Sequence, residues 1–256
     1  MSQIVLPRIP EIHDPRMDLV YIDRFLDRPD ERPDYLDLIV FIMDRLGIRS
    51  GQALDIACGC GEFADQVAQT RENLDVVGID INPMPIGIAN EVYGGRGNLE
   101  FRTGDVYDLG DYRDQDLVTC AYSLHHFDDL ERALTQVYDV LKPGAPFFFI
   151  DFNREYLSEH KATVSMPDGA VVPMWQLIYN ARTKGIDDQF LEVFLDEGVF
   201  GGSDKAHNQI NVLSVLSIIA AYTPDEIRNT LQRTGFRDID ITLDTRNIKY
   251  ACHAKK

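Results

Sequence analysis

The chain has 256 residues, 45% apolar and 26% charged, with a formal net charge of −17. So acidic a chain, with no cluster of Lys and Arg, repels phosphate backbones and argues against nucleic acid as its substrate. No apolar run approaches the roughly 20 residues of a membrane span, and "MSQIVLPRIPEIHDPR" lacks the basic start and apolar stretch of a secretory signal, so the cytoplasm is the expected location and no membrane partner is expected.

Residues 1–34 read as an N-terminal helical lid, with a short helix in "MDLVYIDRFL". In "PDYLDLIVFIMDRLG", Leu36, Ile39, Val40, Met43 and Leu46 recur at helical spacing and Gly47 stops the helix. Strand and helix then alternate. "ALDIA", "LDVVGID", "LEFRTGD", "QDLVTCAYS" and "APFFFIDF" read as strands, and "EFADQVAQT", "NPMPIGIANEVY" and "DLERALTQVYDVLKPG" as helices between them. Short apolar strands separated by helices predict an α/β fold, a doubly wound and mostly parallel sheet. Near the end, "YTPDEIRNTLQRTGF" is a helix with Thr223 and Glu226 in capping-box positions. "RDIDITL" and "NIKYACHA" follow with a connection too short for a parallel crossover, so they must pair as an antiparallel hairpin.

Seven strands are expected in all, in an α/β domain made of residues 35–153 and 223–256. Residues 154–222 form an insert after the fifth strand, with helices expected in "VPMWQLIYNAR", "DQFLEVFLDEG" and "HNQINVLSVLSIIAAY", and it is expected to act as a lid or substrate pocket. Cys58, Cys60, Cys120 and Cys252 lack the spacing of a metal site, and no metal ligand set is read from the sequence.

The decisive stretch is "QALDIACGCGEFADQ", Gln52 to Gln66. Gly59, Gly61 and Ala64 match the G-x-G-x-x-G/A pattern of a dinucleotide loop. Asp55, four residues before Gly59, is ill suited to that ligand, because a carboxylate beside a pyrophosphate is unfavourable.

From Leu36 to Ala254 the chain resembles the class I S-adenosylmethionine-dependent methyltransferases. Their first motif, D/E-x-G-x-G-x-G, stands here as Asp55-x-Ala57-x-Gly59-x-Gly61, with alanine in place of the first glycine. The resemblance implies S-adenosylmethionine as cofactor. It places Asp55 near the cationic amino-acid end and has Ala57, Cys58, Gly59 and Gly61 line the loop. It gives Asp80 the ribose hydroxyls and lays Ile81 against the adenine. Asp105 meets the adenine amino group, beside the backbone N–H of Val106. Cys120 and Ala121 lend backbone to the methionine moiety. In "CAYSLHHFDD", His125 and His126 are the candidate proton acceptors, and Tyr21 the candidate lid residue.

Asp151 and Asn153 emerge toward the same rim, and Trp175, Tyr179, His207 and Asn208 stud the insert as candidate acceptor contacts. The reading is methyl transfer to O, N or C of a small-molecule acceptor. The alternatives are a non-methylating use of the same cofactor, a NAD-dependent oxidoreductase, and a non-catalytic binding subunit.

Overall fold

The computed structural model describes residues 5–11, 15–27, 29–159, 163–165, 169–184 and 214–256. Helices α1 (Pro15–Asp27) and α2 (Leu36–Leu46) lead into β1 (Gly51–Ile56), α3 (Glu62–Thr70), β2 (Leu74–Asp80), α4 (Pro83–Tyr93) and β3 (Leu99–Thr103). β4 (Leu117–Ala121), α5 (Leu130–Val140) and β5 (Pro146–Phe152) follow. After the insert, which carries β6 (Thr163–Ser165), β7 (Val171–Pro173) and α6 (Met174–Thr183), α7 (Pro224–Arg233), β8 (Arg237–Leu243) and β9 (Lys249–Lys255) close the sheet.

The seven strands lie in the order β3-β2-β1-β4-β5-β9-β8. The first five pair in parallel, and β9 runs antiparallel to both β5 and β8. Alternation along the strands divides the core. Leu54, Ile56, Val118 and Phe149 face α5 and α7, whereas Ala53, Val76 and Phe148 face α2, α3 and α4. Each fully buried Leu or Ile contributes on the order of 1.5–3 kcal/mol, so both layers are anchored independently of any ligand. Strand order reverses between β1 and β4, and the loops leaving their carboxyl ends open the crevice where such sheets bind ligands.

Local signals act as the sequence implies. Asp129 caps α5, its side chain accepting from Arg132 N, and Thr223 and Glu226 complete a capping box on α7. α2 departs in one position. Its buried residues are Ile39, Ile42 and Met43, while Val40 is exposed, because the helix turns its Ile42 edge to α3.

The insert is not helical throughout. β6 (Thr163–Ser165) and β7 (Val171–Pro173) pair as a hairpin, with Gly169 in the left-handed region between them, and this delays α6 (Met174–Thr183) to Met174. A helical stretch at 214–220 packs Val215, Leu216 and Ile219 against Met174 and Ile178. The expected helix in "DQFLEVFLDEG" lies outside the described residues.

Candidate active site

The loop after β1 turns because Ala57, Gly59 and Gly61 all take left-handed backbone, at φ +50°, +55° and +86°. Gly61 is required on two counts. Its φ disfavours a side chain, and an added Cβ would stand 2.5 Å from the Phe101 ring. The Cys58 N–H donates to Ile79 O at 2.9 Å, fastening the loop to the end of β2. Helix α1 covers the loop, since buried Ile22 and Phe25 pack on Cys60. The Tyr21 ring comes within 3.6 Å of where a Cβ on Gly59 would stand, and its hydroxyl donates to Glu62 Oε2 at 3.1 Å.

Three carboxylates gather at neighbouring strand ends. Asp55 is 1% exposed; its Oδ1 accepts from Thr119 Oγ1 at 2.6 Å, and its buried Oδ2 makes no hydrogen bond among the described residues. Burial raises its pKa, the Thr119 hydroxyl lowers it, the negative charge of Asp80 raises it again, and the result is about 7. Asp80 Oδ2 accepts from Gly59 N and Oδ1 from Asn82 N, each at 2.9 Å. Asp105 Oδ1 accepts from Tyr107 N at 2.9 Å. Ile81, next to Asp80, is 70% exposed, unusual for so large an apolar side chain. Val106 is half-buried against the α5 side of the core.

At the end of β4, Cys120 is buried and Ala121 half-buried, and Tyr122 turns the chain at φ +54°. Burial, then the negative charges of Asp55 and Asp151, push the Cys120 thiol well above its ordinary pKa, so it is no nucleophile. Ser123 Oγ donates to Ala57 O at 3.0 Å and ties this turn to the β1 loop.

The two histidines that follow differ sharply. His125 is 1% exposed, with Nδ1 2.7 Å from Asp151 Oδ1 and its backbone N–H donating to Asp151 Oδ2 at 3.1 Å. The His126 side chain is 53% exposed, and its Nδ1 stands 3.2 Å from Glu11 Oε2. Burial alone would raise the Glu11 pKa. The contact with His126 and the positive charges of both histidines and Arg182 outweigh it and hold that pKa below the ordinary value.

Glu11 is brought here by an N-terminal strap that the sequence does not announce. Arg8 donates to Ala220 O at 2.6 Å and to His125 O at 2.9 Å, and lies over the Tyr222 ring. Arg154 donates to Leu6 O and Tyr179 to Pro7 O. Arg8 and Glu11 lie more than a hundred residues from the histidine loop they meet, so no local spacing reveals them. Thr119 and Ser123 are likewise visible only once strands are paired.

The remaining candidates are structural in placement. Asn153 is buried, donating to Asn247 O and accepting from Glu155 N, and so fixes the exit of β5. Trp175 and Tyr179 pack on the insert's own apolar cluster. His207 and Asn208 lie outside the described residues.

Residues 54–149 match a family model described as a methyltransferase domain. A demethylmenaquinone methyltransferase of Deinococcus radiodurans is 31% identical over 104 residues, 40% of this chain and 43% of that one. A ubiquinone biosynthesis O-methyltransferase of Hahella chejuensis is 30% identical over 118 residues, 44% of this chain and 48% of its own. The chain thus spans less than half the length of either relative. Among solved structures, a SAM-dependent methyltransferase from Aquifex aeolicus superposes with a TM-score of 0.58 at 15% identity, covering 95% of this chain and 99% of that one. Residues 54–149 thus form a methyltransferase domain, and the fold is the one shared with the Aquifex aeolicus SAM-dependent methyltransferase.

Proposed function

We propose that the protein transfers the methyl group of S-adenosylmethionine to a small-molecule acceptor, with the cofactor held on the loops after β1, β2 and β3. The observation that carries this reading is Asp55. A buried carboxylate with one oxygen lacking any hydrogen bond among the described residues is a costly arrangement, and an adjacent cation offsets that cost. S-adenosylmethionine carries an α-ammonium and a sulfonium, and no phosphate. When bound, it supplies a methyl carbon already activated for displacement.

The other groups suit the rest of the molecule. Each carboxylate oxygen of Asp80 has lone-pair capacity beyond its one backbone donor, enough for ribose hydroxyls. Asp105 and the Val106 N–H suit the adenine amino edge, and exposed Ile81 offers an apolar cover for the ring. Backbone of Cys120 and Ala121 borders the methionine end. A NAD reading fits less well. Asp80 suits the ribose of either cofactor, but a pyrophosphate beside Asp55 would add negative charge where the Asp55 pKa is already raised.

For the acceptor we infer an aromatic small molecule at the carboxyl ends of β4 and β5. Tyr122 packs on Phe152 at 5.3 Å between ring centroids, Tyr35 stands 6.1 Å from Tyr122, and the Lys249 ammonium lies 4.6 Å over the Tyr122 ring. The relatives named demethylmenaquinone methyltransferase and ubiquinone biosynthesis O-methyltransferase support the same class. Holding acceptor and methyl in line supplies several kcal/mol by placement alone. His125 serves as a positioning residue, since Asp151 holds Nδ1 and Nε2 faces Glu11.

The test is calorimetric titration of the protein with S-adenosylmethionine, S-adenosylhomocysteine and NAD. Micromolar binding of the first two without NAD is expected. Binding of NAD alone overturns the reading.

A further inference from the structure

Glu11, His125 and His126 meet at one point, their three potential ligand atoms all within 4.8 Å of one another. We propose that they form a binding site for a divalent first-row transition-metal ion, zinc foremost, with Asp151 as the outer partner of His125. Four observations carry this.

The first is spacing. Metal–ligand bonds of about 2.0–2.1 Å in tetrahedral geometry put neighbouring donor atoms about 3.3 Å apart. Glu11 Oε2 lies 3.2 Å from His126 Nδ1 and 3.7 Å from His125 Nε2. A small inward turn of the exposed His126 ring closes the set.

The second is orientation. The Asp151 carboxylate accepts from the His125 ring at Nδ1, which fixes the hydrogen there and leaves the Nε2 lone pair toward Glu11. A carboxylate behind a ligating imidazole is the arrangement that orients metal-bound histidines and raises their basicity. Asp151 is itself 0% exposed and braced by the Phe152 and His125 backbone N–H groups, so the ring has little room to turn.

The third is the carboxylate. The Glu11 side chain is only 10% exposed, and the two imidazoles are what its buried Oε2 faces, at 3.2 Å from His126 Nδ1 and 3.7 Å from His125 Nε2. The strap that delivers it is fastened on both sides, by Arg8 to the His125 carbonyl and by Arg182 to the Pro10 carbonyl. A chain that merely passed over the loop would not need to bury an acid between two imidazoles.

The fourth is donor type. Two imidazole nitrogens and one carboxylate oxygen suit zinc and its neighbours rather than magnesium or calcium, which take oxygen ligands. Three protein ligands leave a coordination position open. Its catalytic meaning rests on the methyltransferase reading. The His125 ring stands 5.7 Å from the Phe152 ring between centroids, and an ion held there would bind an acceptor hydroxyl and lower its pKa, so that its proton passes to water and the oxygen takes the methyl group as S-adenosylhomocysteine leaves.

The experiment uses the untagged full chain, dialysed against chelator and titrated with Co²⁺ under visible absorption, then with Zn²⁺ in competition. One equivalent with ligand-field bands is expected. Glu11→Gln and His126→Ala should each weaken binding about 100-fold, and Asp151→Asn roughly 10–100-fold. No stoichiometric binding overturns the proposal, as does binding that both Glu11→Gln and His126→Ala leave unchanged. S-adenosylmethionine titrated into the same metal-free samples reports on the methyltransferase reading separately. Metal without cofactor binding removes only the catalytic role, and cofactor without metal binding removes only the metal site.

Discussion

Thr119 Oγ1 donates to Asp55 Oδ1 at 2.6 Å across the β1–β4 pair, where the two residues are register partners. Among the described residues this is the one hydrogen bond to the side chain of Asp55, the most deeply buried acid of the β1 loop region. Without a cation nearby, burial dominates and the Asp55 pKa stands at about 7. Cofactor binding and protein stability therefore respond to pH through the same group, in opposite senses.

Cofactor affinity should rise with pH. A cation beside Asp55 favours its ionised form and lowers its pKa, so binding at low pH must first expel a proton. From about pH 5.5 to about pH 7.5 the affinity for S-adenosylmethionine is expected to increase roughly 10-fold or more by calorimetry. In Asp55→Asn it should be weaker and nearly flat over that range. A steep slope retained in the variant would assign the proton to another group.

The stability of the ligand-free protein should move the other way. The folded pKa of Asp55, about 7, lies above the ordinary 3.8. Its contribution is fully present below the ordinary value and is lost as pH rises through about 7. Asp55→Asn is then expected to raise urea-unfolding stability at about pH 8 by at least about 1 kcal/mol, and the gain should shrink steadily as pH falls from about 7 toward the ordinary carboxylate value. A loss at pH 8 would mean that the ionised carboxylate is stabilised by contacts other than Thr119.

Ala57 carries a strain that glycine would relieve. At φ +50° its Cβ crowds the backbone, at a cost of about 1–2 kcal/mol, partly offset by the larger chain entropy glycine brings. Ala57→Gly should raise stability by about 0.5–1 kcal/mol and keep the Ser123 bond, which reaches the residue 57 carbonyl. A lower melting temperature would show that the methyl group packs usefully.

Much of this architecture was legible because its signals are local. The β1 loop, the three strand-end acids, the α7 capping box and the closing hairpin follow from residues a few positions apart. The site around His125 was legible only in part. "SLHHF" draws attention to two histidines without distinguishing them, and their difference comes from Asp151 on the next strand and Glu11 at the far end of the chain. Val40 misled for a related reason. Helical spacing identifies a stripe, but which edge of the stripe is buried depends on where α3 lies. The paired strands β6 and β7 have three residues each, too few for an alternating pattern to mark them.

Arg154 should be the most costly of these residues to lose. It is 3% exposed, donates to Leu6 O and Ala221 O, and pairs with Glu226 Oε1 at 2.5 Å, so it joins the strap, the insert and α7. Arg154→Met leaves two carbonyls without their donor and is expected to cost about 2–4 kcal/mol in urea unfolding. Glu226→Gln should cost only about 1 kcal/mol, because that side chain is 43% exposed and water can replace the guanidinium. Burial raises the Glu226 pKa, but the Arg154 and Thr223 bonds outweigh it and leave it below the ordinary 4.5. Its contribution is present above that value and is lost as pH falls through the lower folded one. The wild type should therefore lose stability below about pH 4.5 more steeply than Arg154→Met. Equal slopes would show that the pair is not what couples Glu226 to acid.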